Sequence, residues 1–170
     1  MNIEDIPAEL RWEIAAKSAT AMPFAQEMVY RAVFGEKYKE IEALMEAADL
    51  QLRIESGKEF STLAKDLGLP TKTAEDVDNT QSIISEILLG PELQYEVTKS
   101  SSNQVQTHIT SCPVLNRAEE LGIDTEFLFD HCLAQNKSTV ENLNSRYTQR
   151  FTKAMCMGDP YCETCTELKK

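Results

Sequence analysis

The spacing of apolar residues along this chain changes at Gly90-Pro91. Upstream, apolar side chains recur every three or four residues, which is typical of amphipathic helices. Downstream, they alternate with polar side chains in two short runs on either side of a polar, serine-rich turn, which predicts an antiparallel hairpin. The alternating positions are Leu93, Tyr95 and Val97 in the first run and Val105, Thr107 and Ile109 in the second. A helical first half and a strand-bearing second half are therefore expected.

Four helices are predicted before the change of pattern. Pro23 is expected to break or restart the first of them, because proline lacks a backbone donor. Gly57 is expected to end the second, because glycine is the commonest residue just past a helix. Thr73 with Asp76 resembles a capping box and opens the fourth. The predicted helices cover about 7–22, 24–56, 59–67 and 73–89.

The second half is predicted to hold two hairpins with helices between them. Pro113 at a first helical position begins one helix, Asp124 precedes a second, and Ser138 with Glu141 suggests a cap for a third. The last hairpin comprises strands over about 147–155 and 161–168, joined by a Gly-Asp-Pro turn.

The predicted fold class is α+β, with a helical N-terminal layer packed on a small antiparallel sheet of about four strands. We expect a single domain over 1–170, composed of a helical subdomain over 1–90 and a cysteine-bearing subdomain over 91–170. An isolated small sheet needs a helical partner to bury its apolar face, so the two parts are not expected to fold separately.

Composition narrows the class of partner. The chain has 170 residues and a net charge of −11, which disfavours nucleic acid and anionic membrane surfaces. No apolar run reaches the ~20 residues that span a bilayer. The first residues are acidic and do not resemble a signal peptide, so a cytoplasmic location is expected. In that compartment the five cysteines should remain reduced.

Four of the five cysteines are predicted to form one site. Cys156 and Cys162 flank the Gly-Asp-Pro turn and should face each other, whereas Cys165 should point to the opposite face of its strand. Cys112 at a strand-to-helix junction and Cys132 on a helix complete the set if the intervening helices fold over the turn. Four thiolates suit tetrahedral zinc or a [4Fe–4S] cluster. The alternative is that Cys112 and Cys132 are small buried core residues.

A catalytic use of the same region also remains open. Cys112 lies near a helix N-terminus, where the helix dipole stabilises a thiolate. His108, His131 and Asp159 are candidates for its base and orienting acid. The plainer alternatives are a surface strand residue for His108, a helix-face residue for His131 and a turn residue for Asp159.

The C-terminal half, over roughly 92–167, resembles two related groups of proteins. One is the L-2-amino-thiazoline-4-carboxylic acid hydrolase-like family, and the other is the vinyl-reductase-type small-molecule-binding domain. The residues that carry the resemblance are Ser111-Cys112-Pro113 with Arg117 and Gly122, then Cys132, and the closing run Met157-Gly158-Asp159-Pro160-Tyr161-Cys162-Glu163.

The resemblance implies two different chemistries. The hydrolase family opens a cyclic amidine, whereas the vinyl-reductase-type domain binds small, often hydrocarbon-like ligands, with metal proposed at its cysteines, and many relatives belong to anaerobes. Cys132 and Cys156 depart from a one-cysteine hydrolase pattern and favour a metal site.

The predicted function is therefore that of a cysteine-ligated metal protein, holding [4Fe–4S] or zinc, with a redox, sensing or small-molecule-binding role. Its partner would be a small ligand or a redox protein. The alternatives are a thiol-dependent hydrolase of a small cyclic C–N substrate and a non-catalytic ligand-binding module.

Overall fold

Two hairpins that are distant in sequence meet in one antiparallel sheet. The computed structural model describes residues 2–170. The strands are β1 (Gln94–Ser100), β2 (Gln104–Ser111), β3 (Tyr147–Lys153) and β4 (Cys162–Leu168), in the order β1-β2-β4-β3. The central β2–β4 pair runs in register from Gln104–Glu167 to Ile109–Cys162. The predicted α+β class, with a helical layer on a four-stranded sheet, is confirmed.

The helices are fewer and longer than the sequence pattern indicates. The 59–67 segment continues the preceding helix, and a single helix replaces the two predicted after Asp124. The α-helices are α1 (Ala8–Phe34), α2 (Tyr38–Asp66), α3 (Ala74–Leu89), α4 (Pro113–Glu120) and α5 (Leu128–Leu143). Short 3₁₀ turns cover Ile3–Asp5, Gly35–Lys37 and Met155–Met157.

Helix α1 continues through Pro23, where a break was predicted. A proline inside a helix costs about 3 kcal/mol, because one backbone hydrogen bond is lost and the ring crowds the preceding turn. Ala16, Thr20 and Phe24 are all buried and lie four residues apart, so one buried stripe crosses the proline. Packing of this stripe offsets the local cost and keeps the helix continuous.

Gly57 lies inside α2 and marks a close approach of α2 to α5, not a helix end. A Cβ built on Gly57 would fall 2.3 Å from Ser138 Oγ and 2.6 Å from the Ser138 carbonyl carbon. The Ser138 hydroxyl donates a hydrogen bond to the Ile54 carbonyl oxygen of α2 and so does not cap a new helix. The two helices are therefore in backbone contact at this point.

The connection between β3 and β4 is longer than a tight hairpin turn. After Lys153 the chain forms the 3₁₀ turn Met155–Met157, and Gly158 follows in the left-handed region with φ 95°. The Asp159 carboxylate accepts a hydrogen bond from the Ala154 N–H at 2.9 Å, which closes this turn. Cys156 consequently lies within the turn, whereas the prediction had it flank a tight turn and face Cys162.

The main apolar core draws on both sides of Gly90, so the helical and strand-bearing halves share it. A second cluster joins α1, α4 and α5 beside the cysteine-bearing junction. The first contains Phe60, Ala64, Ala74, Val77, Ile84, Val105, Val140, Leu143 and Tyr147, and the second contains Phe24, Leu115, Ala118 and Leu128. Within residues 2–170, no helix combines the length and apolar character needed to cross a membrane.

The close contact at Gly57 predicts the sign of the stability change when this glycine is replaced with alanine. Replacing a glycine inside an exposed helix with alanine ordinarily stabilises the protein by about 1 kcal/mol. Gly57→Ala should instead destabilise it by about 1–3 kcal/mol, because the added methyl group overpacks the α2–α5 interface. Urea unfolding monitored by circular dichroism measures the difference.

Lys58→Ala, at the exposed neighbouring position on the same helix, is the matched control and should change stability little. A Gly57→Ala variant as stable as the parent protein would show that α2 and α5 do not approach each other so closely.

Candidate functional site

A cavity of about 180 Å³ lies between the helical layer and the sheet. Its strand residues alternate along β2, β3 and β4, as expected for one face of a pleated sheet. Helix α3 supplies several wall residues from Asp78 to Leu89, and α5 supplies others from Leu128 to Thr139. The strand residues of its wall are Tyr95, Thr107, Ile109, Gln149, Phe151, Cys162 and Thr164.

Three of the four cysteines predicted to form one site, Cys112, Cys132 and Cys162, line this cavity, and Cys156 lies close to them. Burial raises the pKa of the Cys132 thiol, and the proximity of the other three thiols raises it further. Burial raises the pKa of Cys162 to about 11, with smaller contributions from Cys112, Cys156 and Asp159. Burial also raises the pKa of Cys156, and Cys112 adds to this. Each of the four thiols is thus within electrostatic reach of the other three.

The side chains are not arranged as a ready metal site. Within residues 2–170, no three His, Cys, Asp or Glu side chains are positioned to hold a metal ion. The chemistry of the donor set nevertheless suits a soft metal, because it consists of thiols. Ligation would require side-chain movement that draws the sulfur atoms together.

A β-bulge accounts for the direction of Cys112. On β1, Gln94 pairs with Ser111 and Tyr95 pairs with Ile109, so Thr110 is an extra residue on β2. An extra residue shifts the alternation of side chains by one position. Cys112 therefore lines the same cavity as Ile109, although simple alternation places the two on opposite faces.

The thiol of Cys112 is subject to two opposing effects. It precedes the first residue of α4, and the backbone N–H groups of Leu115 and Val114 lower its pKa. Burial has the larger effect, so its pKa is raised overall. The helix N-terminus is thus present as predicted, but the protonated thiol is favoured at neutral pH.

Cys165 lies apart from the other four thiols. It is 0% exposed, and its sulfur accepts a hydrogen bond from Gln104 Nε2 at 3.2 Å and lies 3.6 Å from Glu167 Oε2. The adjacent Thr164 and Thr166 face the helical layer, so Cys165 is on the other face of the sheet.

His108 also lies on that outer face. Its Nε2 is 2.8 Å from Glu163 Oε2, and its ring stacks on Tyr161 with centroids 4.2 Å apart. In a regular strand His108, four residues before Cys112, would share its face, but the bulge at Thr110 shifts only the residues that follow it and separates the two. The structure does not bring this histidine to the cysteines.

The structure places the other two candidates, His131 and Asp159, beside cysteines of the set. His131 precedes Cys132 on α5, lines the cavity, and places Nδ1 3.2 Å from Asp49 Oδ2. Asp159 closes the turn after β3 and contributes to the raised pKa of Cys162.

A second cavity of about 320 Å³ adjoins the first. It lies among α1, α2 and α5, and it includes the Asp49–His131 pair. The two cavities are separated by side chains that border both, namely Arg53, Leu88, Leu89, Val114, Leu128 and His131.

The sequence analysis missed a buried polar group in the cavity wall. Asp78 is 4% exposed and accepts hydrogen bonds from Thr107 Oγ1 at 2.7 Å and Thr166 Oγ1 at 2.8 Å. Gln81, one turn further along α3, exchanges hydrogen bonds with Gln149 of β3. The sequence feature that could have predicted this group is a pair of polar residues three apart, Asp78 and Gln81, within the apolar stripe of α3.

Comparison with known proteins identifies the fold. No protein-family profile and no curated protein sequence matches the chain. The structure is similar to trafficking protein particle complex subunit 3 from Naegleria fowleri, solved covalently bound to palmitic acid. That likeness has a TM-score of 0.54 and 14% identity, and covers 92% of this chain and 96% of that one.

The structure is also similar to the phenol-responsive sensory domain of the transcription activator PoxR, solved with phenol. Here the TM-score is 0.56 and the identity 10%, over 88% of this chain and 74% of that one. At these identities the likeness establishes a shared α+β fold, and the hydrolase resemblance stays a prediction.

Proposed function

We propose that this chain binds one small, largely apolar molecule in the cavity between the sheet and helices α3 and α5. The observation that supports this is a concave space of about 180 Å³ bordered by both layers of the fold. Small-molecule ligands bind preferentially in concave spaces of this kind, where apolar side chains surround a few convergent polar groups.

The volume of the cavity limits the size of the ligand. An apolar cavity of roughly 150 Å³ accommodates benzene, whereas drug-sized ligands occupy about 300–1,000 Å³. Apolar side chains from α2, β2 and β3 (Phe60, Ile109 and Phe151) border the space. A single-ring compound or a short hydrocarbon chain fits these limits.

The two similar structures are consistent with this proposal. Each was solved with an apolar or single-ring molecule, palmitic acid in one and phenol in the other. A sensing or carrier role for this chain would use the same property, because binding between two layers of a fold couples ligand to the packing of those layers.

Ligand binding can be tested with toluene and a cavity-filling variant. Toluene should raise the melting temperature of the protein and shift the NMR signals of the cavity residues, because it binds only the folded state. Ser85→Phe should abolish both effects, since Ser85 borders the cavity and the added ring would fill it.

Thr62→Phe is the matched control, because Thr62 lies exposed on α2 and an added ring there leaves the cavity open. Absence of any toluene effect on the parent protein, or an equal loss in both variants, would contradict the proposal.

We also propose that Cys112, Cys132, Cys156 and Cys162 take up zinc or an iron–sulfur cluster at one side of this cavity. The mutual proximity of these thiols supports it. A bound metal would hold the sulfurs as thiolates and would compensate the charge that burial otherwise disfavours.

Metal uptake should depend on these four residues and not on Cys165. Cobalt(II) added anaerobically should produce thiolate charge-transfer absorption, which Cys132→Ser and Cys162→Ser should weaken severely and Cys165→Ser should leave intact. Because the pKa values of these thiols are raised, ligation must displace protons, and affinity should fall as pH falls.

Iron with acid-labile sulfide, or zinc, in protein purified without oxygen would identify the native occupant. Equal binding by Cys165→Ser and Cys132→Ser, or no binding by the parent protein, would contradict this second proposal.

Thiol-dependent hydrolysis gains less support. The Cys112 thiol has a raised pKa, and His108 lies on the far face of the sheet. His131 remains as a candidate base, one residue from Cys132 on the cavity wall.

A further inference from the structure

One end of the cavity carries a buried carboxylate. Thr107 of β2 and Thr166 of β4 each donate a hydroxyl hydrogen bond to a different oxygen of Asp78. A carboxylate has about four acceptor positions, so two of them remain after these bonds. Burial raises the pKa of Asp78, while the two threonines lower it.

The surroundings of Asp78 are polar but uncharged. Gln149 Nε2 donates to Thr166 Oγ1 at 2.9 Å and to Gln81 Oε1 at 3.0 Å. Gln81 Nε2 in turn donates to Asn136 Oδ1 of α5 at 2.6 Å. Within residues 2–170, no Arg, Lys or His forms a salt bridge with Asp78. The carboxylate therefore lacks a counter-charge from the protein.

The hydroxyl of Thr139 independently indicates that a hydrogen-bonding ligand group is missing from this end of the cavity. It is 1% exposed, borders the same cavity, and its hydroxyl makes no hydrogen bond within residues 2–170. Buried hydroxyls are normally satisfied, because an unpaired one costs free energy.

Asp78 and Thr139 lie at the same end of the cavity. The Gln81–Asn136 hydrogen bond joins α3 to α5. Asp78 is three residues before Gln81, and Thr139 three residues after Asn136. Asn144, just after α5, donates a side-chain hydrogen bond to the carbonyl of Thr71, just before α3, so the two helices run antiparallel. Both positions therefore lie about one turn beyond the Gln81–Asn136 bond in the same direction.

The cysteines occupy the other end. Thr139 is seven residues from Cys132 on α5, which is about 10 Å along a helix. Arg53 also borders the cavity, but it bonds to Asp49 and Gln135 and lowers the pKa of Cys132, which places its charge near the cysteines.

We propose that the ligand of this cavity carries a primary amino group, held as an ammonium ion by Asp78 and by the Thr139 hydroxyl oxygen. An ammonium group offers three donors and the positive charge that the carboxylate lacks. The apolar body of the ligand lies against Ile109 and Phe151. This inference rests on the proposed ligand cavity and names the class of ligand as small apolar amines.

A neutral ligand fits this end of the cavity less well. An alcohol would supply a donor but no charge, so Asp78 would stay unpaired or take up a proton. A buried charge is tolerated when it is paired and hydrogen-bonded, and an ammonium–carboxylate pair meets both conditions.

A series of nearly isosteric compounds tests the inference. Toluene, benzyl alcohol and benzylamine are titrated into the full chain at pH 7.5 by calorimetry. Charge-assisted hydrogen bonds predict that benzylamine binds about 10- to 100-fold more tightly than either neutral compound. Asp78→Asn, which keeps the side-chain volume, should remove that preference and retain toluene binding.

Thr139→Val tests the second contact and does not depend on the folding of Asp78→Asn. Valine is close in shape to threonine, so loss of an unpaired hydroxyl should leave the melting temperature of the free protein unchanged or raised. Benzylamine affinity should fall several-fold while toluene affinity does not. If the affinity for benzylamine is unchanged, Thr139 does not bind the ammonium group.

The outcomes separate this inference from the proposed function. If toluene binds and benzylamine binds no more tightly, or if Asp78→Asn keeps the amine preference, the amine assignment is overturned and the cavity function stands. Tighter binding of benzyl alcohol than of benzylamine also overturns it. If none of the three compounds binds, both the inference and the proposed function fail.

Discussion

The backbone contact between α2 and α5 at Gly57 determines where the cavity wall can lie. Any larger residue at this position would overlap the Ser138 backbone and push α5 outward. Helix α5 carries Cys132 near one end and Thr139 near the other, so its depth sets the position of both. Asp78 provides the complementary restraint, because its bonds to Thr107 and Thr166 tie α3 to the two central strands.

These restraints produce a cavity with two chemically different ends. The cysteine end presents thiols that burial keeps protonated, and the opposite end presents a carboxylate without a counter-charge. The carboxylate costs folding free energy in the empty protein because it is buried without a counter-charge, whereas protonated thiols are buried at little cost. Binding an amine would compensate the cost of the carboxylate, and binding a metal at the other end would use the same space between the two layers.

The sequence predicted the class of fold and the order of its elements because both depend on local periodicity. The strand phase also separated Cys165 from the other thiols. The continuity of α1 through Pro23 and of α2 through Gly57 was missed, because each depends on packing against a distant segment. Simple alternation along β2 does not give the orientation of Cys112 for a similar reason, since the bulge at Thr110 is visible only in the pairing with β1.

The polar end of the cavity was not predicted at all. Asp78 and Gln81 look like ordinary polar residues of a surface helix until Thr166 and Gln149 are seen to lie opposite them. Such a group is assembled from residues up to 88 positions apart, and no local pattern reports it. Contacts between residues so far apart in the chain depend on the tertiary fold and leave no trace in local periodicity.

A crystal structure determined under xenon pressure tests most directly whether an open cavity lies between the helices and the sheet. Xenon binds apolar cavities that water does not fill. We expect a xenon atom in contact with Phe60, Ile109 and Phe151, with α3 and α5 unmoved. Electron density showing α3 and α5 collapsed onto the sheet, with no xenon between them, would contradict the proposed binding function.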